Sequence, residues 1–191
     1  GDYGKSCDWS FDGNYLAIIG SNPVNGKEVQ VYKFDGENLT YATGVDYLGG
    51  DVRSVSWSPN GQYLAFGGGG NMKTAVYSFN SNTEELNFTY SRIYDDHDFA
   101  DGFSVYGVDW SPSGNYLAVC GWVDSDHCDN ICVYKFENDE LNTLTYAPFP
   151  APDLGYTSTY VRSVRWSPSE NYLAAGGQTK GKIAVYSFDS S

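Results

Sequence analysis

The chain has 191 residues and a formal net charge of −13, with 11 Lys and Arg against 24 Asp and Glu. That balance weighs against nucleic acid, whose phosphates demand a basic surface, and against anionic membrane surfaces. No run of about twenty apolar residues is present, so no segment reads as a membrane-spanning helix. The chain opens on Gly1 without an initiator Met, as a processed chain or a part of a longer one would.

Taken in order, the chain repeats itself. Cys7-Asp8-Trp9-Ser10-Phe11-Asp12-Gly13-Asn14-Tyr15-Leu16-Ala17 is a shortened first copy of Val52-Arg53-Ser54-Val55-Ser56-Trp57-Ser58-Pro59-Asn60-Gly61-Gln62-Tyr63-Leu64-Ala65. Val105 to Ala118 and Val161 to Ala174 repeat it again. The Trp positions 9, 57, 110 and 166 lie roughly 50 residues apart, the period of a repeat architecture. Each copy predicts a β-hairpin. Val52 to Trp57 alternates like a strand, Ser58-Pro59-Asn60-Gly61 suits a type I turn, and Tyr63 to Phe66 returns. Glu170 stands where the other copies have Gly, and a type I turn is expected to tolerate it. Gly67 to Gly70 reads as a hairpin connection needing positive φ rather than a phosphate loop, since the Lys-Ser/Thr of a P-loop is missing.

A third strand carrying Val-Tyr-x-Phe follows each hairpin, at Val29 to Phe34, Lys73 to Phe79, Ile131 to Phe136 and Lys182 to Phe188. A weaker fourth follows at Leu39 to Thr43, Asn87 to Ile93 and Leu144 to Ala147. One four-stranded sheet cannot bury both of its faces, and radial stacking can. The expectation is an all-β propeller of four-stranded antiparallel blades within one domain, 1–191, with repeats at about 5–44, 51–93, 104–147 and 160–188. The 17 Tyr, 10 Phe and 5 Trp fall largely at repeat positions and read as packing residues. Trp-Ser-Pro-x-Gly-x-Tyr-Leu-Ala resembles the first hairpin of WD40 blades, over essentially the whole chain. A kelch-type propeller has a similar period but lacks this motif. Val-Tyr-x-Phe stands where WD40 blades end in Trp-Asp, and no Gly-His precedes the first strand. The buried His–Ser–Asp–Trp network of that family is therefore not expected.

The last blade lacks its outer strand. This reads as a four-bladed ring, an open half pairing with a second copy, or a window on a longer array. The resemblance implies larger rings and favours the last two. The edge formed by Lys182, Ile183, Val185 and Tyr186 is expected to be an intermolecular contact. Long loops share one face of the propeller, and the candidate binding residues there are Tyr94, Asp95, Asp96, Asp98, Phe99, Asp101, Phe149 and Tyr156.

Two sequons, Asn38-Leu39-Thr40 and Asn87-Phe88-Thr89, fall at the starts of outer strands, at what read as equivalent positions, and nominate Asn38 and Asn87 for glycosylation. Cys7 replaces a repeat Val and reads as a buried thiol. Cys120 and Cys132 are expected opposite each other in a hairpin and bridged, with Cys128 as the alternative partner of either. With His127 these three also offer a zinc reading, against which the spacing speaks. Asp96, Asp98 and Asp101 are weak calcium candidates in a loop that lacks the EF-hand closing Glu. No cofactor is expected. His97 and His127 are the only histidines, so candidates for acid–base catalysis are few, and the chain reads as non-enzymatic.

The leading expectation is an extracellular structural or assembly protein, N-glycosylated and joined to itself through blade edges. The alternative is a scaffold, cytoplasmic or not, binding a protein on its long-loop face. A third reading is a glycan-binding, lectin-like propeller.

Overall fold

The structure, a computed structural model, describes residues 3–21, 26–47, 51–69, 74–92, 104–122, 130–143, 160–177 and 183–189. These residues form fifteen strands and no helix. Blade 1 is β1 (Tyr3–Trp9), β2 (Tyr15–Ser21), β3 (Val29–Phe34) and β4 (Leu39–Val45). Blade 2 is β5 (Val52–Trp57), β6 (Tyr63–Gly68), β7 (Thr74–Asn80) and β8 (Glu85–Arg92). Blade 3 is β9 (Ser104–Trp110), β10 (Tyr116–Trp122), β11 (Ile131–Glu137) and β12 (Glu140–Thr143). Blade 4 is β13 (Val161–Trp166), β14 (Tyr172–Gly177) and β15 (Ile183–Ser187). Each sheet is an antiparallel meander in chain order, and the last has three strands among the described residues.

The repeated Trp-Ser closes each hairpin chemically. The Ser58 hydroxyl accepts the Tyr63 N–H at 2.9 Å, and Gly61 N–H returns to Ser58 C=O at 2.9 Å. The same serine–tyrosine bond recurs at Ser10–Tyr15, Ser111–Tyr116 and Ser167–Tyr172. The last turn residue is left-handed in every copy: Gly13, Gly61 and Gly114 at φ 71°, 68° and 75°, and Glu170 at 61°. Glu170 thus bears a strain that glycine avoids. Its carboxylate offsets this by accepting Ser113 N–H at 2.8 Å and Ser113 Oγ–H at 2.9 Å, across to blade 3. Glu170→Ala keeps the strain and loses those bonds, whereas Glu170→Gly loses only the bonds. Urea unfolding should therefore find the alanine variant less stable than the glycine variant by about 1 kcal/mol.

One outer strand falls elsewhere than expected. β12 pairs Leu141 with Phe136, and residues 144–147 lie outside the described residues. Asn138 and Asp139 both take positive φ, 54° and 62°, which makes a two-residue hairpin turn and brings the strand forward. The glycine run also differs. Gly67, Gly68 and Gly69 are not among the positive-φ residues. Gly68 is required for space instead, since a Cβ there would lie 2.2 Å from Asp51 C=O.

Three cores bind the four blades, one per seam. Each seam sets a tyrosine of one blade against a Trp–Phe pair of the next. Tyr15 meets Phe79, which packs on Trp57; Tyr63 meets Phe136, which packs on Trp110; Tyr116 meets Phe188, which packs on Trp166. These edge-to-face contacts have ring centres 4.7–5.2 Å apart, the geometry that aromatic quadrupoles favour. Valines of the third strand, Val31, Val76 and Val133, fill the seam beside them.

Among the described residues no such core joins blade 4 to blade 1. Trp9 is 46% exposed where Trp57, Trp110 and Trp166 are at most 8%. Tyr172 is 51% exposed, Ile183 79% and Val185 65%. Cys7, expected to be buried, is exposed. Its counterparts Val55, Val108 and Val164 are buried in the seams with the preceding blades, and among the described residues no blade packs on that side of blade 1.

Candidate functional site

The inner strands β1, β5, β9 and β13 run side by side and are laced by side chains. Asp8 accepts Trp57 N–H at 2.7 Å, Ser56 accepts Trp110 N–H at 3.3 Å and Asp109 accepts Trp166 N–H at 2.7 Å. The residue before each Trp thus holds the next blade. Ser54 adds a bond from Val108 N–H at 3.0 Å.

Four residues before each Trp, the pairing slips by one. Gly4 pairs Gly20 and Ser6 pairs Ile19, which leaves Lys5 as the extra residue. The same β-bulge leaves out Arg53, Tyr106 and Arg162. A bulged residue opposes nothing on the partner strand and is aimed out of the pleat. These bulges lie where the inner strands begin, which by the element order is the face carrying the long loops.

The result is a cation–aromatic cluster in a strongly acidic chain. The Arg53 guanidinium lies 4.6 Å from the Tyr106 ring centre, and Arg162 lies 5.0 Å from the same ring. Arg162 also lies 5.6 Å from Tyr160, which stacks on Trp122 at an interplanar angle of 8°. Asp51 bridges Lys5 and Arg53. Arg53 Nη1 is shielded from solvent and has no hydrogen-bond partner among the described residues. Burial, and then the Arg53 charge, hold Lys5 below its ordinary value. On the opposite face a groove of about 540 Å³ runs between the turns of blades 1 and 2, lined by Phe11, Tyr15, Gln62, Tyr63, Asn80 and Asn82 among others.

Burial raises the Asp109 carboxyl above its ordinary value of 3.8, against the Trp166 N–H and Arg165, which pull it down. The folded chain therefore takes up a proton at a pH where the unfolded chain does not. The sign follows: this group's contribution to stability rises as pH falls through the raised value towards 3.8. In urea unfolding between neutral pH and about pH 4, Asp109→Asn should remove that part of the pH dependence. An unchanged slope would mean Asp109 is solvated.

The nominated residues fall unevenly. Asn38 and Asn87 are both exposed. They are not equivalent, because Leu39 pairs Phe34 as Leu86 pairs Phe79, which aligns Asn87 with Thr40. Cys120 and Cys132 form no bridge. Cys120 pairs Ile131 and Cys132 pairs Val119, so the register is one residue off and the two thiols project to opposite faces. Cys120 is buried in the blade 3–4 core, which pushes its thiol up to about 12, and Cys132 packs toward blade 2. His127 and Cys128 lie outside the described residues, as do Lys182, Tyr94, Asp95, Asp96, Asp98, Phe99, Asp101, Phe149 and Tyr156. Among the described residues no group of three or more His, Cys, Asp or Glu could hold a metal ion. Ile183 and Val185 are exposed on β15, and Tyr186 turns inward onto the blade 3–4 core. The sequence reading missed the bulge cluster. Its signal was one repeat position occupied by Lys5, Arg53, Tyr106 and Arg162, three of the 11 basic residues.

The model of the lactonase 7-bladed β-propeller family matches residues 28–191. The chain belongs to that family. This propeller is also 28% identical over 192 residues to the HIR1 proteins of two strains of Cryptococcus neoformans var. neoformans serotype D. The match covers 94% of the chain and 19% of each relative, so the chain spans about a fifth of their length. Among solved structures it resembles the β-propeller domain of Myceliophteria thermophila Cps50 (Swd1), with a TM-score of 0.67 and 13% identity over 98% of this chain and 54% of that one. A Lactobacillus plantarum protein gives 0.73 and 18%, covering 99% and 52%. A chain of a mitotic checkpoint complex gives 0.68 and 20%, covering 97% and 49%. These likenesses establish the fold: a WD40-like, all-β propeller of four-stranded blades, of which this chain spans about half of each neighbour.

Proposed function

We propose that the chain is a non-enzymatic protein-interaction scaffold that joins a second copy of itself through its two terminal blade faces. The observation that supports this reading is an unfilled aromatic seam. Tyr172 is exposed on blade 4, and the exposed Trp9, 5.3 Å from Phe34, stands on blade 1. Together they are the two halves of the contact that builds all three internal seams. Head-to-tail docking sets Tyr172 of one copy against Trp9 and Phe34 of the next. Two such contacts close a ring of eight blades. Arg165 is the departure: it occupies the position of the accepting Asp8, Ser56 and Asp109, and a guanidinium accepts no hydrogen bond. The contact therefore rests on the apolar seam and on Ser163, which keeps the acceptor of Ser54. The scaffold part is supported by the neighbours, one of which is a chain of a mitotic checkpoint complex.

The test is the native mass of the 191-residue chain by light scattering. Twice the chain mass is expected. A monomer at every accessible concentration would sink the reading and point to further blades on a longer polypeptide. Raising the salt should strengthen the association, because each copy carries −13. Simple lactones should show no turnover above buffer, and measured hydrolysis would end the non-enzymatic part. The same proposal takes the protein as extracellular and glycosylated. Glycosidase should then lower the mass of protein from a secreting host, and Asn38→Gln with Asn87→Gln should abolish the shift. A second reading has the chain acting alone with a partner on the long-loop face, and the cation–aromatic cluster there favours it.

A further inference from the structure

We propose that the four bulges form a binding site for the carboxylates of an acidic peptide segment. It rests on the scaffold reading only in taking the ligand to be part of a protein, and it is independent of self-association. Lys5, Arg53, Tyr106 and Arg162 occupy one register position on four neighbouring inner strands. Three of them are cations in a chain of net charge −13. Gathering them on one face concentrates positive charge where the rest of the surface is acidic, which gives local complementarity and rejects acidic chains elsewhere.

The donor chemistry selects carboxylates. Tyr106 holds two guanidinium groups within 5.0 Å of its ring centre, and a guanidinium over a ring presents its N–H donors at its edge in a fork that fits a carboxylate. Asp51 shows the fit in place: its carboxylate takes Lys5 and the Nε of Arg53. Because the cations are spread over blades 1, 2 and 4, the fitting ligand is a run of carboxylates and not a single small acid. The aromatic floor of Tyr106, Tyr160 and Trp122 covers the hydrocarbon stems of Glu side chains.

The probe is a fluorescein-labelled hexaglutamate peptide, followed by fluorescence polarisation at low salt. Saturable binding by the unsubstituted chain is expected. Arg53→Gln with Arg162→Gln should weaken it by about tenfold or more. Lys33→Gln with Lys135→Gln removes the same charge from exposed third-strand positions and should leave binding unchanged. Thermal unfolding of each variant confirms its fold, and Lys5→Gln alone, expected to weaken binding by about threefold, serves if the double arginine variant does not fold. Absence of saturable binding, or equal losses in the two charge-matched variants, overturns the proposal. So does inorganic phosphate displacing the peptide more effectively than free glutarate.

Discussion

Replacing Trp110 by alanine is expected to lower the unfolding free energy by about 3–5 kcal/mol. The ring is 5% exposed and packs edge-to-face on Phe136 at 5.0 Å, so its removal empties the seam between blades 2 and 3. Trp9→Ala removes the same side chain from the same repeat position. There the ring is 46% exposed, and the loss should be about 1 kcal/mol. Trp110→Phe should lie between them. It keeps an aromatic ring and deletes an indole N–H that has no partner among the described residues. Urea unfolding of the three variants at low protein concentration is the check. Equal costs for Trp9→Ala and Trp110→Ala would mean that the first blade face is covered.

Tyr172→Asp is expected to weaken association of the chain with itself by roughly 30- to 1,000-fold, the range of a central aromatic anchor. A carboxylate there would be buried against Trp9 and Phe34 with no partner. Trp9→Asp should do the same from the other side. The decisive experiment mixes the two variants. In a head-to-tail pair, one interface then carries both substitutions and the other carries neither. The mixture should recover part of the association that each variant lacks alone. Sedimentation or light scattering reads it directly. No recovery would point to a symmetric contact, in which each face meets its own kind. Neither variant should change stability much, because both side chains are about half exposed in the single chain.

The repeated hairpin was legible in the sequence. Trp-Ser-Pro-x-Gly-x-Tyr fixes a strand, a serine-closed turn and a return strand through contacts within about ten residues, and such local bonds follow from residue type alone. The three-stranded last sheet was readable for the same reason. What failed was register and exposure. Cys120 and Cys132 miss each other by one residue, and a shift of one sends every side chain to the opposite face. Asn138 and Asp139 drew the third outer strand forward through a two-residue turn at positive φ, a conformation that Asn and Asp favour among non-glycine residues. Cys7 and Trp9 carry the residue types of a core position and lie exposed, because burial of these positions is conferred by the preceding blade. The cation cluster was present in the sequence as one residue per repeat. Only the bulge, which is set by pairing across the sheet, turned those residues to one place. The sequence by itself thus determined the hairpins, the blade and the number of repeats. The tertiary structure decided which faces are covered, which thiols can meet and where the charges gather, since these depend on register and stacking between segments roughly 50 residues apart.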